Sequence, residues 1–508
     1  MLQPDYEPYS AVSFQHKQLT SPYPYHDESP HIRTRAFLTS LDTNSNPLRW
    51  RRRCRLQKRV VIGLILLLLP LIYYGNVIRV YWSFLRIKLD NVMFDKGWIT
   101  CGVLRKEPML YVQDTDHVQI VWEMNCGMTS NDMFVTLESP SKTVEEIGPV
   151  SMVQLDDRHL VYKTTLGPLE AGGKYAYNID MVPKTKPSSW WERKAPRRTL
   201  ASSTFQWHVT ANSTIRIAAM ADNQFGMKTF TTVLGKIAEH QPIHYLLHAG
   251  DAVQNYPSLR EWQTDFVGPL TYHQLGQHMP MIYAHGNHDH DRTSEYHYTR
   301  SIPSKDPWFS FSLANGAIQF FVLDSNLDWA RQEEWFQQEL ASEASQKAQF
   351  RIVVVHIPPF LEFWDPHAWF QLRESEWGAF IKDRFVPLFN EYGVDLVISG
   401  HQHNYERGER DGIQYAIIGG AGGDLDHERV ADWGMYESSL LDFHYVIMDF
   451  RPIGERWQLR WDAYDLDGHL VDAMTLDPKY MQNPVPPGLL QDLESMVEEE
   501  PEEDTAVN

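Results

Sequence analysis

Five short stretches each end an apolar run with side chains that can bind a cation or move a proton: Asp222 in "MADNQFG", Gly250-Asp251, "GNHD" from Gly286 to Asp289, His356, and "GHQH" from Gly400 to His403. Taken singly, each has an ordinary reading as a turn former or a hydrogen-bonded histidine. Together, in this order and all at strand ends, they describe a site for two cations a few ångströms apart. Such a pair needs a bridging carboxylate plus nitrogen and oxygen ligands, because a shared anion screens the repulsion between the ions. Asp251 is the natural bridge. His401 and His403, one residue apart at a turn, are able to serve different ions from one loop, and the glycines before Asp251, Asn287 and His401 let backbone come close.

The elements that must position these residues are legible in the surrounding pattern. "IRIAAMAD", "IHYLLHAGD", "MIYAHGNHD", "IQFFVLDS", "FRIVVVH" and "VDLVISGHQH" read as fully buried strands, and "FTTVLGKIAEH" and "QEEWFQQELASEA" carry helical periodicity between them. This predicts an α/β domain over residues 215–478, with the site outside the carboxyl ends of its strands. Upstream, "HVQIVWEM" (117–124), "GKYAYNID" (173–180) and "STFQWHV" (203–209) alternate at period two, as strands with one wet face do. They predict a small antiparallel β-sandwich over residues 100–212 with no catalytic constellation of its own.

The remaining segments set the context. Residues 1–59 lack apolar periodicity and read as a flexible cytosolic tail, and residues 479–508 as an acidic disordered tail. "RWRRRCRLQKR" (49–59) abuts "VVIGLILLLLPLIYYGNVI" (60–78), which is free of charge and long enough to span a bilayer. The basic residues before it place the N-terminus in the cytosol and the rest of the chain in a lumen or outside the cell, as a single-pass type II protein. The sequon at Asn212 agrees with that placement, as does a disulfide between Cys101 and Cys126, although two free thiols are equally compatible with the sequence; Cys54 reads as a thiol or an acylation site. A net charge of −20, with no basic cluster after residue 88, excludes an electrostatic nucleic-acid surface. "YDLDGHLVD" (464–472) lacks a calcium-loop pattern and reads as a β-turn.

With these residues in view, the chain resembles the calcineurin-like metallophosphoesterase superfamily, specifically its purple-acid-phosphatase-like branch. "GHQHNYERGERDGIQYAIIGGAGG" (400–423) is similar to that branch's GHxHxYER block, and "SLREWQTDFVGPL", "DPWFSFSLANGAIQFFVLDS" and "HIPPF" resemble its connecting segments. The resemblance covers roughly residues 105–476. It implies a metallophosphoesterase β-sandwich flanked by helices, preceded by a fibronectin-III-like sandwich. It also implies that Asp222, Asp251 and His403 hold one metal and Asp251, Asn287, His356 and His401 the other. His288 would protonate the leaving oxygen of a phosphate ester attacked by a metal-bridging hydroxide, the two ions being Fe, Zn or Mn.

Two positions depart from the pattern. The first motif lacks the common histidine and has Gln224, while the ligating tyrosine expected three residues after Asp251 is Gln254. Gln224, Gln254 and His290 are therefore candidate ligands or supports of ligands, and Asn255 and Tyr405 candidate substrate contacts. His248 and His285 read as packing or supporting histidines, and Arg407 as an ion-pair residue. The alternative from another class is a surface adhesion protein built on a degenerate phosphoesterase scaffold.

Overall fold

The computed structural model of the protein describes residues 75–99, 102–125, 129–182, 197–207, 213–289, 298–299, 306–326, 329–364 and 378–478. The expectations for the two tails, for residues 60–74 of the apolar segment, and for Cys54, Cys101, Cys126, Asn212 and His290 lie outside these residues. Residues 75–78 open a helix, α1 (Gly75–Asp95), and no helix among the described residues is long and apolar enough to cross a membrane.

Eight strands come first: β1 (Leu104–Val112), β2 (Val118–Met124), β3 (Met133–Glu138), β4 (Val144–Ile147), β5 (Ser151–Asp156), β6 (His159–Leu166), β7 (Gly173–Met181) and β8 (Arg198–Trp207). They alternate with tight turns and pair antiparallel. The α/β part then runs β9 (Ile215–Met220), α2 (Met227–Ile237), β10 (Tyr245–His248), β11 (Met281–Tyr283), β12 (Phe309–Leu313), β13 (Ile318–Val322), α3 (Trp329–Ala341), β14 (Phe350–Val354) and β15 (Leu396–Ser399). It finishes with β16 (Tyr405–Arg410), β17 (Ile413–Ile418), β18 (Tyr436–Leu440), β19 (His444–Ile453), β20 (Arg456–Asp465) and β21 (Leu470–Leu476). All six predicted buried strands are present as β9, β10, β11, β13, β14 and β15, and residues 465–468 turn between β20 and β21 as expected.

Two large sheets face each other. One has the order β21-β20-β19-β9-β10-β11-β1-β2-β6-β5, the other β12-β13-β14-β15-β17-β16-β18. Alternate residues of each strand, such as Ala219 and Leu247 against Phe320 and Ile352, fill the layer between them. The intervening residues pack outward on helices: Ala218 and Leu246 meet Phe230 and Leu234 of α2, while Phe321 and Val353 meet Phe336 and Leu340 of α3. This explains why the strands read as unbroken apolar runs, since both faces of each are covered.

The N-terminal strands are arranged differently from a free-standing sandwich. β4, β3, β7 and β8 form their own sheet, but β1, β2, β6 and β5 extend the large one, because β1 pairs in parallel with β11 at Tyr111↔Met281. The predicted wet face of β2 is consequently absent. All seven of its residues are buried, including Gln119 and Glu123, because β2 is third from the β5 edge and both its faces are covered, Ile120 and Trp122 packing in one apolar cluster and Val121 in the other. Glu123 meets its cost of burial through an ion pair with buried Lys106. β7, in the separate sheet, keeps the alternation its sequence predicts.

Candidate metal centre

The ends of β9, β10, β11, β14 and β15 converge where the two sheets meet, and strained backbone turns their next residues toward a common point. Asp222, Asp251 and His401 all have left-handed φ values of 59°, 56° and 70°, a conformation that costs a residue with a Cβ roughly 1–2 kcal/mol. Hydrogen bonds between the loops hold it: Asp222 N donates to Gly250 O at 3.0 Å, Asn223 N to Asp251 O at 3.1 Å and Gly423 N to Asp222 O at 2.8 Å. Two glycines make room. A Cβ on Gly286 would collide with the Asp251 carboxylate and one on Gly400 with that of Asp222.

Ligand atoms of buried Asp251, His356 and His401 all lie within 4.8 Å of one another. His356 Nε2 stands 3.3 Å from Asp251 Oδ2 and 3.1 Å from Asn287 Oδ1. Its Nδ1 donates to Ala249 O at 2.8 Å, which fixes the ring and leaves Nε2 for the site. His401 Nδ1 lies 2.9 Å from the same Asn287 oxygen. Asp222 accepts the His401 amide on both oxygens at 3.0 and 2.9 Å and faces His403 Nε2 at 3.6 Å. The six predicted ligands thus form one cluster.

Gln224 joins it. The side chain is buried, with Nε2 3.3 Å from Asp251 Oδ2 and 3.1 Å from His403 Nε2. Its Oε1 is buried with no hydrogen-bond partner among the described residues. A half-turn of the amide exchanges the two atoms and directs that oxygen at Asp251 and His403. Gln254 lies elsewhere: its carbonyl accepts His288 Nδ1 at 2.9 Å, and its amide is capped by Glu261. Tyr256 is buried in the apolar cluster that includes Trp262 and Phe266.

The mixed carboxylate, amide and imidazole donors, together with that orphaned buried oxygen, fit a pair of transition-metal ions. The electrostatics fit as well. Burial raises Asp222 well above the ordinary carboxylate value, and Asp251 close by raises it further. Burial also acts to raise Asp251, but His356 and His288 outweigh it and hold this carboxyl below the ordinary range. Burial alone would lower His356, yet the Asp251 carboxylate prevails and lifts it to about 10. A proton on His356 thus supplies positive charge where a cation would sit.

Other predicted residues fall into supporting places. His288 donates its backbone N–H to Asp251 Oδ1 at 2.9 Å, and its ring, pinned through Nδ1, is half-buried beside the cluster. His248 lies 2.7 Å from Asn223 Oδ1, whose amide donates to Ala252 O and Asp265 O, so it braces the first loop. His285 Nε2 meets Thr299 Oγ1 at 2.6 Å. Asn255 is exposed and tied to Glu261. Tyr405, expected as a substrate contact, is fully buried: its hydroxyl donates to Asp472 and accepts from Trp461 Nε1. It points into the layer between the two sheets and reaches β20 and β21 of the facing one, and Arg407 forms the expected ion pair, two-pronged, with Asp472.

Two residues escaped the sequence reading. Asp289 is buried and accepts from the amides of Asp251, Ala252 and Gly286 and from the Tyr283 hydroxyl, at 2.8 to 2.9 Å, so one carboxylate locks two ligand loops. Its place in the "GNHD" turn was the available signal. Trp364 stacks on His401 with ring centroids 4.7 Å apart and planes 20° apart, and nothing in its local sequence announced this.

Residues 215–405 match the family model described as calcineurin-like phosphoesterase. Within it the similarity is to purple acid phosphatases: 25% identity over 196 residues to one from Glycine max (34% of this chain, 40% of that protein) and 31% over 160 residues to purple acid phosphatase 1 of Ipomoea batatas (28% and 32%). The chain thus spans two fifths or less of the length of these curated relatives. A purple acid phosphatase isolated from yellow lupin (Lupinus luteus) seeds shares the fold, with a TM-score of 0.60 and 18% identity over 74% of each chain.

Proposed function

We propose that the protein is a metal-dependent phosphoesterase, purple-acid-phosphatase-like in its chemistry, that hydrolyses phosphate esters at a binuclear centre. The observation that carries this reading is the convergence of Asp251, His356 and His401 within 4.8 Å, with Asn287, Asp222, His403 and Gln224 closing around them. Asp222, Asp251, His403 and the Gln224 amide oxygen make one ion's seat; Asp251, Asn287, His356 and His401 make the other. Two bound transition-metal ions supply a nucleophile at neutral pH and neutralise phosphoryl charge.

This chain's own residues do the rest. Asp251 holds both seats in register, and in the metal-free chain His356 and His288 keep it ionised. His288, with Nδ1 committed to Gln254 O, offers Nε2 as the proton donor to the leaving oxygen. Among the described residues no tyrosine closes on the first seat, and the anionic side chains there are Asp222 and Asp251. That composition favours a divalent ion such as Mn, Zn or ferrous Fe. The charge-free run of residues 60–78, with basic residues before it, supports a type II membrane anchor that puts the site in a lumen or outside the cell. The strands of residues 102–207 fit a fibronectin-III-like module whose second sheet has fused with the catalytic one.

The test is hydrolysis of a generic aryl phosphate by Asp251→Asn and His356→Ala chains, alongside metal analysis and circular dichroism. Both variants are expected to lose activity to background and to lose metal while keeping their secondary structure. Full activity in both, or a metal-free wild-type chain under metal-replete conditions, would return the protein to the class of binding scaffolds.

A further inference from the structure

Helix α1 turns Ser83, Ile87, Asn91 and Phe94 into the protein, packing against α2 and the segment 262–272. On its other side Ile78, Trp82, Leu85, Leu89 and Val92 are between 42% and 66% exposed. Their spacing of four, three, four and three residues makes one continuous apolar stripe along the helix. At 100° per residue, Arg86 and Arg79 border this stripe on one side and Lys88 on the other, with Asp90 next beyond Arg79 and Asp95 next beyond Lys88. We propose that this face of α1 lies on a lipid surface, with the apolar stripe in the acyl boundary and Arg79, Arg86 and Lys88 against anionic headgroups.

Three observations favour this occupant. With five charged residues in its 21, α1 is too polar to cross a bilayer, yet one face is apolar throughout, and a one-faced helix with basic borders is the design that seats in an interface. The basic borders stand out on a chain of net charge −20, and they complement anionic lipid. The chain also enters α1 from the apolar run of residues 60–78, so this end of the helix is where the sequence itself approaches hydrocarbon, and Trp82 suits the headgroup level. Because α2 begins directly after the loop carrying Asp222 and Gln224, α1 seated this way fixes the orientation of the metal centre to the membrane. The inference stands whether or not that centre hydrolyses phosphate esters.

The full chain carrying Leu85→Cys or Leu89→Cys is labelled with an environment-sensitive fluorophore, with the labelled wild-type chain as background for its native cysteines. It is reconstituted into vesicles of phosphatidylcholine and phosphatidylserine with nitroxide-labelled acyl chains. Both probes are expected to lose most of their emission, while a probe at Glu455→Cys, on the exposed β19–β20 turn, keeps its own. Adding Arg86→Glu and Lys88→Glu is expected to restore much of the emission at Leu89→Cys. Probes that stay in water, that become dry without being quenched by lipid, or that crosslink two chains through residue 89 each overturn the proposal.

Discussion

Gln224 Nε2 lies 3.1 Å from His403 Nε2 and 3.3 Å from Asp251 Oδ2, so an amide occupies the wall of the cluster that an imidazole or a phenolate would otherwise fill. An amide oxygen is a neutral and comparatively weak ligand. In the proposed binuclear centre, the ion it would serve is therefore the more easily lost of the two.

Gln224→Ala should lower affinity for that ion by roughly tenfold or more and take metal content from about two per chain toward one. Gln224→His should restore both. Elemental analysis after dialysis against a graded chelator reads the difference, and equal stoichiometry in wild type and Gln224→Ala would remove the residue from the ligand set. Iron-loaded wild type should also lack the strong visible band of a phenolate ligand, because the nearest tyrosine after Asp251, Tyr256, is packed in the core.

Asp289 offers a separate prediction about positioning. Its carboxylate accepts three hydrogen bonds from two ligand loops and a fourth from the Tyr283 hydroxyl of β11. Replacing it by Asn turns one oxygen into a donor facing amide donors, leaving at least one buried N–H unpaired, at about 1–3 kcal/mol each. Asp289→Asn should lower the denaturation midpoint and weaken metal binding together. A variant with wild-type stability and metal content would show that the loops hold their strained turns without it.

The residues that converge at the candidate centre were legible in the sequence because buried parallel strands announce themselves as apolar runs, and polar residues that end such a run stand out. "VDLVISGHQH" is of this kind, with β15 ending at Ser399 and the site beginning two residues later. The joining of β1 to β11 was not legible. It rests on one long-range pairing, Tyr111↔Met281, whose residues carry only ordinary strand preference. The misreading of β2 follows from it: Gln119 and Glu123 look like a wet face until the rest of the sheet covers them. Tyr405 misled for a related reason, since adjacency to His403 in sequence says nothing about which side of a strand the next side chain leaves from.

The Asp472 carboxylate carries a pH-dependent share of stability. Burial alone would raise its pKa, but hydrogen bonds from Arg407 and Tyr405 outweigh burial and hold it below the ordinary 3.8. A depressed folded-state value means that the contribution is complete above 3.8 and is lost as pH falls below it. Tyr405→Phe removes the hydroxyl that bridges Trp461 and Asp472, and should cost about 1 kcal/mol with no change in KM for an aryl phosphate. Asp472→Asn should flatten the acid limb of the stability curve. A raised KM in Tyr405→Phe would give the tyrosine back its role at the substrate.

Metal binding should expel protons. With His356 lifted to about 10 by its carboxylate neighbours, the folded metal-free protein keeps that imidazole charged at neutral pH. The attraction to Asp251 stabilises the fold fully below the ordinary 6.5 and is lost as pH rises through about 10. An imidazole must be neutral to ligate a metal, so the ion displaces this proton. Asp222, pushed up by burial and by Asp251, contributes up to a second. Titration calorimetry with Zn or Mn in buffers of different ionisation enthalpy should therefore report about one to two protons released per chain near pH 7, and affinity rising about tenfold per pH unit for each. His356→Gln should release one fewer. Binding without proton release would mean that His356 is already neutral in the folded chain and that the positive charge balancing Asp251 resides elsewhere.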